Sequence, residues 1–476
     1  MSLEEKLELE RAEQARWRPL QPERINPLTE KLLCAEFSSP ALARATESRN
    51  LSSTLTFARQ QVPLYREDER WRAASFDDGK SSAELLAQLP VLDKHQLQES
   101  FDQLRAERTP KGCEGSHLIS SSGTTGRPAR VLFSMPASFM FGLLLQRQMR
   151  WERVDPNWTQ AMIRLPRDIP RQNDGHALAD GSTHRAPGWM YLDKLFHTGS
   201  SIAFNRSNSI EAQVNWLRHE RPEYLITFPG TLEALIYAGQ GKPVESLRGL
   251  RSISATLTEG MRSRIESATG LHVQQNYGLN EIGIVATRCE GGRYHVNSEH
   301  CVVEIVDENG APCRPGESGR ILVTALTNLA MPLVRYDTGD LAEVAAGNCP
   351  CGRTLPAFGR VIGRYRAMRY APEGTSARVN AIAETIEKLP LPLLENLREY
   401  QLHQYLDGNF ELRLVVRGNP QNKLTKALSA AWVARFGETT PLRILELKKL
   451  PPPPGGKQQE FTSDFFPGID DEDSGQ

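Results

Sequence analysis

Between Ser200 and Tyr277, short apolar runs alternate with helical stretches, and no other feature restricts the fold as much. Ile202-Ala203-Phe204 reads as a strand and Ile210 to His219 as a helix. Tyr224 to Phe228 is a strand, and Leu232 to Tyr237 a helix. Leu250 to Ser254 is a strand, Glu259 to Ala268 a helix, and His272 to Tyr277 a further strand. This β-α-β-α succession predicts a mostly parallel sheet with helices on its faces. Ligands of such sheets bind beyond the carboxyl ends of the strands. Asn276-Tyr277-Gly278 therefore stands at a candidate ligand edge.

The flanking segments fill in an α/β protein. Residues 1 to about 30 read as a polar helical arm ending at Pro27. Residues 41 to 61 read as a helix stopped by Pro63, and Asp93 as a helix N-cap. Arg130 to Ser134 is strand-like, and the apolar run from Ser138 to Trp151 is a buried helix. Arg164 to Pro187, rich in Pro, Gly and Asn, reads as a long surface insertion. Residues 302 to 345 form a β-rich subdomain with a hairpin signal at Asn309-Gly310. From 363 onward a small α+β unit is expected: a helix near Val379 to Leu389, strands Glu399 to Gln404 and Phe410 to Val416, a helix Leu424 to Phe436, and a strand Leu442 to Leu447. The expected division is a large N-terminal domain over 1–362, a small mobile C-terminal domain over 363–466, and a disordered acidic tail over 467–476.

Composition excludes several classes of partner. Lys+Arg 57 against Asp+Glu 58 gives a net charge of -1 over 476 residues, with no basic excess to attract nucleic acid or a membrane surface. The charged N-terminus has no apolar signal region and no apolar run has the length of a membrane span, so a cytoplasmic protein is expected. Seven cysteines, an odd number spread thinly, do not make a disulfide framework.

Five segments carry candidate chemistry. Ser120-Ser121-Ser122-Gly123-Thr124-Thr125-Gly126-Arg127-Pro128 has glycines that let backbone N–H groups turn inward and hydroxyls that add donors, so it reads either as a phosphate cradle or as a solvated loop. It lacks the Gly-Lys-Ser/Thr of a Walker A loop. In Asn276-Tyr277-Gly278-Leu279-Asn280-Glu281, a Tyr at a strand end can stack on a flat ring and a Glu can hold Mg²⁺; a core Tyr and a surface Glu are the alternative. In Tyr336-Asp337-Thr338-Gly339-Asp340-Leu341, a carboxylate after a glycine turn can accept ribose hydroxyls, or simply cap the turn. Leu450 to Lys457 puts a Gly-Gly hinge before one lysine, which suits a mobile cationic arm as well as a proline-rich tail. Cys289, Cys349 and Cys351 with His295, or His300 in its place, could close a tetrahedral zinc site or remain unmetallated buried thiols.

Taken in order and spacing, these segments resemble the phenylacetate–CoA ligase family of adenylate-forming enzymes. Val62-Pro63-Leu64-Tyr65-Arg66, Ser121 to Pro128, Tyr277 to Glu281 and Arg335 to Leu341 fit its motifs, and Cys289 to Ile305 with Cys349 to Arg353 fit this branch. The resemblance implies ATP-dependent activation of a carboxylic acid, aromatic by family, as an acyl-adenylate with release of pyrophosphate. Acyl transfer to coenzyme A then follows. It further implies that Ser121, Ser122, Gly123, Thr124, Thr125 and Gly126 hold the β- and γ-phosphates and that Glu281 ligates Mg²⁺. Asn276, Tyr277 and Gly278 would border the adenine, Asp340 would bind the ribose, and Arg364 would contact ribose or phosphate. Lys457 would bridge carboxylate and ATP. Cys289, His295, Cys349 and Cys351 would hold a structural zinc, and the family expectation is a homodimer.

The chain departs from the family in four places. Arg127 replaces a lysine, Ser254-Ala255-Thr256-Leu257 replaces a Gly-Ala/Gly-Glu-Pro turn, Gln458-Gln459-Glu460 follows Lys457 where a basic residue is usual, and the hinge Gly363-Arg364-Tyr365-Arg366-Ala367-Met368 has lost both its acidic residues, with Tyr370 to Thr375 in place of the glycine-rich turn that follows it. The altered hinge leaves two other readings: transfer of the acyl group to an amine, or a degenerate nucleotide-binding protein without turnover.

Overall fold

The computed structural model describes residues 22–77, 79–111, 113–120, 129–170, 178–190, 192, 195–239, 244–255, 257–364, 386, 389, 397–407, 409–416, 422–438, 440–451 and 461–464. The first helix is Pro22–Ala35, and it continues through Pro27 rather than ending there. A proline near a helix start forfeits one backbone bond. Leu32 beyond it packs with Leu143 and Leu195, and that tertiary contact holds the rest of the helix. The helix Pro40–Gln61 is capped by Ser39, whose side chain accepts from Leu42 N. Leu51, Leu55 and Ala58, at helical spacing, bury one face completely. Val62 is extended, as a residue before proline must be, and Pro63 then opens the short helix Pro63–Glu67. Asp93 caps the helix Lys94–Glu99 with a full capping box.

A hairpin follows. Strands β1 (Ser116–Ser120) and β2 (Arg130–Ser134) pair antiparallel, with Ser120 opposite Arg130. Ser134 caps the helix Met135–Trp151. Six strands then build one sheet: β3 (Gln160–Arg164), β4 (Thr183–Ala186), β5 (Ser201–Asn205), β6 (Tyr224–Thr227), β7 (Gly249–Ser252) and β8 (Val273–Gln274). Their order is β4-β5-β3-β6-β7-β8. All pairs are parallel except β4 with β5. The alternation from Ser200 onward is thus a parallel sheet with the helices Ile210–Glu220, Pro229–Ala238 and Glu259–Thr269 as its crossovers. The segment expected as a surface insertion contributes β4 to the sheet edge and buries Ile169 and Leu178, because its few apolar residues complete the core around Trp189.

The run His272 to Tyr277, expected as one strand, is two. It breaks at Gln275: β8 ends the parallel sheet, and β9 (Asn276–Leu279) starts another. Strands β9, β10 (Gly283–Arg288), β11 (Tyr294–Val296), β12 (Cys301–Val306), β13 (Ser318–Ala325), β14 (Tyr336–Val344) and β15 (Ala357–Arg364) form an antiparallel sheet in the order β12-β13-β14-β15-β11-β10-β9. The β-rich region therefore runs from Asn276 to Arg364, wider than the expected 302 to 345. Flanking strands β9, β10 and β11 are short, and only long-range pairing reveals them as part of one sheet.

The last sheet has β16 (Leu397–Gln404), β17 (Phe410–Val416), β18 (Leu442–Glu446) and β19 (Phe461–Ser463) in the order β18-β17-β16-β19. Helix Asn422–Phe436 covers it, with Leu424, Leu428, Trp432 and Phe436 packed on Phe410, Leu412 and Leu414. The expected helix near Val379 to Leu389 lies outside the described residues except for Ile386 and Leu389, as does the acidic tail. The molecule is an α/β protein with a large sheet assembly and a smaller C-terminal one. Among the described residues, no helix is long and apolar enough to cross a membrane.

Candidate active site

The break at Gln275 makes the site. The chain leaves the carboxyl end of β8, crosses to the antiparallel sheet, and sets Asn276, Tyr277 and Gly278 at the seam. Gly278 has no room for a side chain: a Cβ there would lie 2.6 Å from Gly283 O across the β9–β10 turn. That turn carries Glu281, which is 9% exposed.

Tyr277 and Asp340 are brought together. The phenol hydroxyl donates to Asp340 Oδ2 at 2.9 Å and bonds to Thr338 Oγ1 at 3.1 Å. Thr338 Oγ1 also accepts from the backbone N–H of Asp340 at 3.1 Å, which fixes the main chain beside the carboxylate. The ring of Tyr277 stands edge-on to Phe358, with centroids 6.1 Å apart. Asp340 faces Arg364 across the β14–β15 ladder, which places the two expected ribose residues opposite each other. Asp337, two residues before the turn glycine, is instead paired with Arg320 at 2.8 Å.

Residues 121–128 and Lys457 lie outside the described residues. Their flanks are ordered parts of the fold. Strands β1 and β2 bracket the Ser-Gly-Thr segment. Leu450 is buried before the lysine segment, and β19 pairs parallel with β16 just after it. Strand β19 has no counterpart in the sequence pattern, since three residues carry no periodic signal.

Two residues absent from the motif reading touch the site. Gln148, from the Met135–Trp151 helix, accepts from Asn276 Nδ2 at 3.1 Å and from Arg251 Nη2 at 2.8 Å. Both Gln148 and Arg251 are buried. The only sequence signal for Gln148 is a polar residue inside a strongly apolar helix. Just beyond β7, Ser254 holds φ +64°, in the left-handed region that favours glycine. A residue other than glycine held in that region costs about 1–3 kcal/mol.

A separate cluster joins Cys289, His295, Cys349 and Cys351, whose ligand atoms all lie within 4.8 Å of one another. Cys289 Sγ is 3.5 Å from Cys349 Sγ, and His295 Nε2 is 3.2 Å from Cys351 Sγ. Pairing of β11 with β10 and β15 brings the segments together. The Nδ1 of His295 faces Leu355 O at 3.2 Å, which assigns the proton there and turns the Nε2 lone pair to the sulfurs. Burial keeps this imidazole below its usual pKa, hence neutral. Burial also pushes the Cys289 thiol up to about 12, so only a bound cation would keep it a thiolate. A tetrahedral ion with bonds of about 2.3 Å to sulfur sets S···S near 3.8 Å, and the donor set fits. His300, the competing imidazole, is committed elsewhere: Nε2 faces Ile282 O at 2.8 Å and Nδ1 faces Thr327 Oγ1 at 2.7 Å.

A family model described as AMP-binding enzyme matches residues 39–330, more than half of the chain, and the chain belongs to that family. Within it, the chain falls in the phenylacetate–CoA ligase branch of the adenylate-forming enzymes. A phenylacetate-coenzyme A ligase of Thermus thermophilus is 26% identical over 379 residues, covering 77% of this chain and 79% of that protein. A fumarate–(S)-2,3-diaminopropanoate ligase of Enterobacter agglomerans is 25% identical over 306 residues, covering 62% of this chain and 70% of that one. Among solved structures, a 2-hydroxyisobutyryl-CoA ligase in the postadenylation state superposes with a TM-score of 0.66 at 17% identity, covering 90% of this chain and 91% of that chain. That likeness establishes the fold.

Proposed function

We propose that the protein is an ATP-dependent acid–thiol ligase. It activates a carboxylic acid as an acyl-adenylate, releases pyrophosphate, and transfers the acyl group to coenzyme A. The observation that carries the reading is the Tyr277–Asp340 bond at the seam of the two sheets, with Glu281 one turn away. A buried carboxylate held by the Tyr277 hydroxyl is preorganised to accept ribose hydroxyls. In this reading Ser121, Ser122, Gly123, Thr124, Thr125 and Gly126 clamp the departing pyrophosphate. Glu281 ligates Mg²⁺, Asn276, Tyr277 and Gly278 border the base, Arg364 meets ribose or phosphate, and Lys457 bridges the reacting carboxylate and the α-phosphate. Catalysis is then positioning plus charge neutralisation. The division between the large and small units is read near residues 362 to 364, where β15 ends. The acid is taken as aromatic, the protein as a cytoplasmic homodimer. Carboxylate-dependent exchange of pyrophosphate into ATP tests the first half-reaction. Exchange with at least one acid of an aromatic panel is expected, and ATP binding without exchange for any acid would favour a degenerate binding protein.

A second reading concerns the acceptor. The loss of both hinge acids at Arg366 and Ala367, and a relative whose name joins an acid to an amine, favour an amide-forming ligase. AMP release on adding coenzyme A, against release on adding amines, separates the two.

The four-residue cluster is read as a structural zinc site that pins the antiparallel sheet. Stoichiometric zinc in purified protein is expected by elemental analysis, and its absence would refute the assignment.

A further inference from the structure

Arginine has only hydrogen-bond donors. The amide atom of Gln148 that meets Arg251 Nη2 at 2.8 Å must therefore be its oxygen. The amide nitrogen then points the other way, and it does so, donating to Glu152 Oε1 at 2.9 Å. With Oε1 of Gln148 fixed, the group of Asn276 that meets it at 3.1 Å must be the Nδ2 donor. Each step removes a choice, and the last leaves Asn276 with its Oδ1 as the acceptor turned away from the relay. Gln148 and Arg251 are 1% and 8% exposed, so water cannot substitute for either partner.

We infer that Arg251 and Gln148 are positioning residues that set the amide orientation of Asn276 and thereby make the site select adenine. The inference rests on the reading that Asn276 borders the base. An acceptor at that place pairs with the 6-amino group of adenine and repels the 6-oxo group of guanine. An amide free to flip would accept both. The relay acts through Asn276 and touches no reacting atom, so its signature is base discrimination.

The test uses equilibrium binding to the full chain, without any acid, of ATP and of purine riboside 5′-triphosphate, which lacks the 6-amino group. One hydrogen bond of about 1.4 kcal/mol corresponds to about a tenfold preference for ATP in the unaltered protein. Gln148→Leu is expected to reduce that preference to about threefold or less, chiefly by weakening ATP. Gln148→Glu combined with Glu152→Gln keeps an acceptor toward Arg251 and Asn276 and a donor from position 152, and it is expected to restore the preference. This exchange of groups also covers the case in which Gln148→Leu fails to fold. Asn276→Ala separates the two layers of the argument. If it abolishes the preference while Gln148→Leu keeps it, the base reading stands and the relay is overturned. If Asn276→Ala keeps the full preference, Asn276 does not read the base and the placement of the adenine is overturned.

Discussion

At Tyr277 the hydroxyl makes a contact that the expected stacking of its ring on the base does not use. The bond to Asp340 orders the carboxylate that would hold the ribose. Tyr277→Phe keeps the ring in its core position beside Phe358 and removes only this restraint. The expected outcome is a rise of about tenfold or more in KM for ATP with kcat within about twofold, because a hydrogen bond to a charged group is worth about 1.5–3 kcal/mol. Steady-state kinetics check it, and an unchanged KM would remove Asp340 from the ribose site. Glu152 gives a prediction about pH. Burial pushes its carboxyl up to about 8, against the opposing charge of Arg251 and the hydrogen bond from Gln148. Between about pH 4.5 and 8 the folded protein holds a proton that the unfolded chain has released, so this group lowers stability as pH rises through that window. Glu152→Gln removes the effect. The variant is expected to gain on the wild type from pH 5 to pH 8, by at most about 1.4 kcal/mol per pH unit, in denaturant titrations. A difference independent of pH would contradict the assignment.

At the scale of elements, the four ligand residues are held by a scaffold that reaches well beyond them. Arg353, two residues after Cys351, lies over Trp151 at 4.1 Å and bonds Glu36 at 3.3 Å and Glu290 at 2.9 Å. Glu36 also accepts from Trp151 Nε1 at 2.8 Å. The turn after the first helix, the end of the Met135–Trp151 helix and the cysteine loop are thus one unit. Chelation of the metal, or Cys351→Ser, is expected to lower the melting temperature by several degrees and to release zinc in stoichiometric amount. Melting unaffected by either would deny the site a structural role.

Legibility divides at this scale too. Strands β5 and β6 are readable because each is a short apolar run bounded by polar residues, and β7 because it falls between two helices in the same alternation. The break at Gln275 is not, since His272 to Tyr277 is locally one extended run and only pairing with different sheets splits it. The helix beyond Pro27 escapes the sequence for the same reason: contacts of Leu32 with Leu143 and Leu195, far apart in sequence, overrule the local signal. The cysteine cluster is legible because its residue types are rare. The relay through Gln148 is not, because a glutamine at the polar end of an apolar helix gives no hint of which partner it meets.

On the scale of the whole molecule, the small sheet meets the large one through Arg264. This residue pairs with Glu233 at 2.5 Å and donates to Leu397 O at 3.0 Å, so the start of β16 rests against the helices of the parallel sheet. Strand β19 returns to β16 immediately after the lysine segment, which tethers the segment at both ends. Lys457→Ala is expected to reduce adenylation by at least about a hundredfold, on the scale of losing one charged transition-state contact, while ATP binding stays within about threefold. Normal adenylation in that variant would show that another cation bridges the reactants.

The central claim is that this chain joins a carboxylic acid to AMP. Its most direct measurement is the incorporation of labelled pyrophosphate into ATP, with and without each acid of an aromatic panel, for the wild type and for Asp340→Ala. The account predicts exchange that depends on one class of acid and is nearly lost in Asp340→Ala. Tight ATP binding with no exchange for any acid, or exchange untouched by Asp340→Ala, would contradict it.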